Sequence, residues 1–136
     1  MQNSWMFLGI ESLIVAVLLL GWYFGARRLN FNIHHLVVYT VILAHALVVF
    51  FWMIPTAQEI SNWVFSNPIG NLRLVLHFGI GMVADILSIA LAVLFIFRRD
   101  MPLSILRRAR PVMITTLTLW VIAYGLGVVN LLLRYL

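Results

Sequence analysis

Four stretches of this chain, Trp5 to Ala26, Leu36 to Thr56, Leu74 to Phe97 and Val112 to Leu133, are apolar over nearly their whole length. A hydrocarbon core of ~30 Å is crossed by roughly 20 such residues in an α-helix. Without water to pair the backbone, only a helix or a closed barrel can span it. The stretches show uniform hydrophobicity and no alternation of apolar and polar positions, so a barrel strand is excluded. The expected fold is therefore all-α: an integral membrane four-helix bundle, with residues 1–136 forming a single transmembrane domain. Composition agrees, since 64% of the 136 residues are hydrophobic and 10% are charged, against about half and about a quarter in ordinary soluble domains.

The charges set the expected orientation. All nine basic residues are arginine. Seven of them (Arg27, Arg28, Arg98, Arg99, Arg107, Arg108 and Arg110) fall in the first and third loops, and only Arg73 and Arg134 lie on the opposite side. By the positive-inside rule, loops 27–35 and 98–111 face the cytoplasm and both termini lie outside, in what we expect to be the plasma membrane of a prokaryote. The net charge of +5 is thus a topology signal, and no nucleic-acid partner is expected. Met-Gln-Asn-Ser at the start carries no basic residue, so the first apolar stretch reads as a structural helix and not as a cleaved signal. Trp5, Trp22, Tyr23, Trp52 and Tyr135 lie near span ends, as an interfacial aromatic belt requires. The connection 57–73 reads as a loop with Asn67-Pro68-Ile69-Gly70 as its turn, and Pro111 reads as the first turn of the fourth helix.

Helices in lipid associate through close packing of small residues. Gly21 and Gly25, then Ala84, Ser88 and Ala92, then Ala123 and Gly127, provide such sets on three helices. The third span also carries Arg73, His77, Gly81, Asp85 and Ser88 along one face. That face is expected to point inward, towards Glu11 of the first span, the His34, Val38, His45 and Trp52 stripe of the second, and Thr116, Trp120 and Asn130 of the fourth. Counting ~1.5 Å per residue puts His77 ~5 Å and Glu11 ~9 Å from the outer boundary, a first tier. His45 at ~14 Å from the inner boundary and Asp85 at ~16 Å from the outer one form a second.

Ionisable groups in a membrane interior are costly and either pair or function. The structural reading is two pairs, Glu11 with His77 and His45 with Asp85, holding the helices in register. The functional reading makes His45 and His77 candidate haem or metal ligands, with Glu11, Asp85 and Arg73 as interior polar partners. The metal is unspecified and the cofactor unknown, haem being the one considered first. An ~11 Å difference in depth between the histidines strains their joint ligation of one iron. His34 and His35, beside Arg27 and Arg28, are expected to reach the lipid headgroups. No cysteine is present, which removes disulfides, iron–sulfur clusters and cysteine nucleophiles. No phosphate loop, zinc signature or nucleophile–base set occurs, so an enzyme is not expected.

Arg28-Leu-Asn-Phe-Asn-Ile-His34-His35 before the second span, together with Arg108-Ala-Arg110-Pro111, Trp120 and Tyr124-Gly-Leu-Gly127 at the fourth, resembles the CtaM-type small membrane proteins linked to cytochrome oxidase maturation. The likeness covers Arg27 to Leu136. Asp85 stands where that pattern has a histidine in the third helix, and the basic loop lacks its histidine. The resemblance implies an accessory subunit or assembly factor of a haem-containing respiratory or photosynthetic complex, with a larger membrane complex or a homo-oligomer as partner beside the bilayer. Glu11 within the first of four short helices also resembles the small multidrug resistance transporters, without their glycine-rich third helix, and implies a proton-coupled small transporter. A stand-alone b-type haem or quinone-binding electron carrier is a further alternative.

Overall fold

The computed structural model describes residues 3–28, 31–97 and 103–135. Among them the chain is helical apart from residues 27–28 and the turn 67–71: α1 spans Asn3–Ala26, α2 Phe31–Val48, α3 Ile54–Ser66, α4 Leu72–Phe97 and α5 Leu103–Tyr135, and a π-helical segment, Val49–Met53, joins α2 to α3. Four helical stretches are long and apolar enough to cross a bilayer: Trp5–Ala26, Phe31–Glu59, Leu72–Phe97 and Arg107–Leu133. The expected all-α membrane bundle is what forms. Its outward surface is apolar, with Leu13, Leu36, Leu43, Phe50 and Ile86 exposed, as lipid-facing positions should be.

α1 packs against α2 and α5, and α4 against α5 and α2, so the four long helices form a ring in which every neighbour is antiparallel. One end of the ring carries both chain ends and the α3–α4 turn. The other carries the two connections that hold the arginine clusters. The core between them consists of Ile14 and Leu18 of α1, Val41 of α2, Ala84 of α4 and Trp120 of α5.

Three boundaries differ from the expectation for one reason, the first being the start of the second helix, at Phe31 instead of Leu36. Hydropathy reports which solvent a segment meets, whereas a helix stops only where its backbone pairing stops. The second helix passes Thr56 and continues through Gln58 and Glu59 to Ser66, so the expected loop 57–73 shrinks to a turn over 67–71. Pro55 has no N–H and its ring crowds the preceding turn. The wide π segment absorbs this, with Ile54 N–H donating to Val49 O. Asn67 then ends α3 and closes the turn: its Oδ1 accepts from Gly70 N–H at 3.0 Å and its carbonyl from Asn71 N–H at 3.0 Å. The fourth helix likewise begins at Leu103 instead of Val112, so Pro111 sits inside it, among the exposed Arg107, Arg108 and Arg110. Arg98 and Arg99 lie outside the described residues, as do the side chains of Arg134 and Tyr135.

The α1–α2 seam depends on its glycines. A Cβ at Gly21 would stand 2.9 Å from Val37 Cγ1, and one at Gly25 would stand 2.7 Å from His34 Nδ1. His34 does not reach for the headgroups as expected. It turns inward over Gly25, and its Nδ1–H donates to Gly21 O at 2.7 Å. A backbone carbonyl has two lone pairs, so Gly21 O accepts this bond beside its helical one. His35 faces the other way and stacks on Tyr39, with Phe95 of α4 nearby.

Replacing Gly25 by alanine should therefore cost about 1–3 kcal/mol through overpacking and loss of the His34 bond. Gly9→Ala and Gly79→Ala, whose Cβ would meet nothing within 4 Å, should be neutral or stabilising by up to ~1 kcal/mol. Thermal unfolding of the three variants in detergent measures the contrast.

Candidate functional site

The register set by Gly21, Gly25 and His34 along α1 and α2 has a direct result further along the same seam: Glu11 comes opposite His45. His45 is 6% exposed, and both of its ring nitrogens face carboxylates. Nδ1 lies 3.3 Å from Glu11 Oε2 and Nε2 lies 3.0 Å from Asp85 Oδ1. The first contact is an ion-pair distance without hydrogen-bond alignment, since Nδ1 has no hydrogen-bond partner by geometry. The second is at hydrogen-bonding length. Trp120 closes the fourth side, its ring edge-on to the imidazole with centroids 4.7 Å apart. Each of the four long helices thus contributes one side chain.

The expected pair His45 with Asp85 is present, while the expected pair Glu11 with His77 is not. Depth counting treated the helices as sharing two flat boundaries, but the α1–α2 glycine contacts slide Glu11 to the level of His45. His77 docks elsewhere, donating from Nδ1–H to Ala123 O at 2.8 Å. It lies over Gly127, where a Cβ would stand 3.0 Å from its Cε1. His34 and His77 use one device. A small residue offers its carbonyl, and a glycine four positions later leaves room for the imidazole. Two of the three small-residue sets read in the sequence as plain packing, Gly21 with Gly25 and Ala123 with Gly127, are thus seats for histidines.

Arg73, expected as an interior partner, is exposed at the start of α4. His77 and Asp85 are separated by ~12 Å along α4, so His45, which is level with Asp85, cannot share an axial pair with His77 on one iron. Among the described residues no three His, Cys, Asp or Glu side chains are arranged so that they could hold a metal ion. One further link was missed in the sequence: Tyr124 OH and Ser12 Oγ stand 2.6 Å apart and tie α5 to α1. Because Ser12 donates to Leu8 O at 2.7 Å, the tyrosine is the donor between them. A tyrosine and a serine within apolar runs carry no sequence signal that they face each other.

The charge of the site decides its chemistry. His45 can donate to both carboxylates only as the imidazolium, or else a carboxyl must carry the proton. Two carboxylates and one imidazolium still leave a net charge of −1. Arg27, Arg28, Arg73, Arg107, Arg108 and Arg110 are all exposed, so no described arginine compensates it. An uncompensated charge at mid-membrane costs ~2.5–3.5 kcal/mol or more. A further proton makes the site neutral.

No protein-family profile, curated protein or solved structure matches the chain.

Removing the central ring should be the most damaging change at this site. His45→Ala leaves two carboxylates without their cation, and should cost ~3–5 kcal/mol as a broken buried pair. Glu11→Gln, which keeps the shape and removes a charge, should cost clearly less. Unfolding midpoints at neutral pH test this order, and equal losses would refute it.

Proposed function

We propose that this chain is a proton-handling integral membrane protein, of the kind that works as a small proton-coupled transporter, with Glu11, His45 and Asp85 as the group that takes up and releases the proton. The observation that carries this reading is the placement of one buried imidazole between two carboxylates with no described arginine to balance them. Such a set changes between neutral and singly charged by gaining or losing one proton. In a low-dielectric interior that change is energetically large, and coupling it to a conformational change requires such a difference. His45 holds the shared proton, and Glu11 and Asp85 orient the ring from α1 and α4. Trp120 keeps lipid from the fourth side.

Infrared titration of the purified protein is the direct test. A carboxyl C=O stretch that comes and goes with pH is expected, reduced in Glu11→Gln and in Asp85→Asn and absent in the double variant. A native protein in which no carboxyl titrates over its folded pH range would refute the proposal.

A second reading keeps the accessory-subunit or assembly role for a haem-containing complex that the CtaM-type resemblance implies. One observation favours it. His77 donates through Nδ1–H, which in the neutral ring leaves Nε2 with its lone pair, the form that binds iron. On this reading His77 alone is the ligand and His45 is not. Added haem should then give a Soret band lost in His77→Ala and kept in His45→Gln; no band in the native protein removes this reading.

A further inference from the structure

The buried polar atoms without a partner are distributed unevenly along the bundle around the Glu11–His45–Asp85 site. Towards the end with the two arginine-bearing connections, the next layer is Ile14 and Leu18 of α1, Val41 of α2 and Leu117 of α5. Ser88 and Thr116 are buried on this side, but each donates to a carbonyl of its own helix, Asp85 O and Val112 O, both at 2.8 Å. Such bonds satisfy the hydroxyl locally and link nothing across the bundle.

Towards the end with the chain termini, polar side chains lie among the apolar ones of α4 and α5. Tyr124, one turn from Trp120, meets Ser12, which stands level with Glu11 on α1, at 2.6 Å. His77 follows one helix over, and Asn130 lies ~15 Å beyond Trp120 along α5. Buried polar atoms without a partner are costly, about 1–3 kcal/mol each, and are the atoms that recruit water. Outside the ring of His45 those atoms are Glu11 Oε1, Trp120 Nε1 and Asn130 Nδ2. All three lie at the site or on its terminal side; among the described residues none lies on the other. On the terminal side Ile10, Val48 and the stacked Phe7 and Trp52 line the α1–α2 seam.

We infer that the site exchanges its proton through one end only, the end bearing both chain termini, along Tyr124, His77 and Asn130, while Ile14, Leu18, Val41 and Leu117 form a closed apolar gate towards the other. This rests on the proton-binding reading above and adds its sidedness. The structure is then the terminal-side-open state of a carrier. The groups that face His45 are Glu11 from α1, Asp85 from α4 and the non-titrating Trp120 from α5, so a change at its ring reports their shared proton.

Trp120 supplies the readout, because an imidazolium in contact quenches indole fluorescence. A variant with Trp5, Trp22, Trp52 and Trp63 replaced by phenylalanine is reconstituted into liposomes, and its orientation is measured by protease access to an N-terminal tag. The external pH is then jumped against a buffered lumen. The rapid fluorescence change should have an amplitude equal to the fraction with termini outward, and Tyr124→Phe should slow it several-fold. Val41→Ser, which opens the gate, should extend the rapid response to the whole population. A rapid response from the opposite fraction, or from both fractions, in the protein that keeps Val41 overturns the inference and leaves proton binding intact. No response from either side, confirmed by following the infrared carboxyl band of the unmodified protein through the same jump, defeats the proton-binding reading itself.

Discussion

Two carboxylates placed beside one imidazole in an apolar interior form the constraint around which this bundle is arranged. In water the group would be unexceptional. Within hydrocarbon it can neither disperse its charge nor dissolve it, so its helices must hold the partners at contact distance and the number of bound protons becomes a structural variable. That each long helix supplies one wall, Glu11, His45, Asp85 and Trp120 in turn, means that the site can form only when all four have assembled.

The histidines divide according to what they meet. His34 and His77 each donate to a carbonyl across a glycine seat, which fixes the α1–α2 and α4–α5 seams by directional bonds. In lipid no hydrophobic force distinguishes one helix register from another, so such bonds and the glycine grooves beneath them do the selecting. His45 has no backbone partner and is left to its acids. Register at the edges and chemistry at the centre are therefore carried by the same residue type, separated by surroundings alone.

Much of this was readable in the chain. The four apolar stretches, the inward face of α4 through His77, Gly81, Asp85 and Ser88, and the meeting of His45 with Asp85 follow from length and periodicity. The partner of Glu11 did not, because membership of the interior is a property of one helix whereas pairing depends on the offset between two, and a shift of one or two turns is invisible to periodicity. Arg73 was misplaced for a related reason: it shares the α4 face but lies at its end, where that face has already left the bundle. The end of α3 and the start of α5 do not follow from hydropathy, because polarity is no stop signal and a helix needs no lipid to continue.

The proline-relieved segment between α2 and α3 has a mechanical consequence. From Phe31 to Ser66 the backbone is one rod, far longer than the hydrocarbon is thick, yet its hydrogen bonding is loosened at a single place, Val49–Met53. A rod with one soft joint bends there first. Forces exerted on the arm by headgroups or neighbours would be taken up at the joint as flexure, sparing the stretch that holds His45, so the contacts of its ring with Glu11 and Asp85 are insulated from movement at the surface.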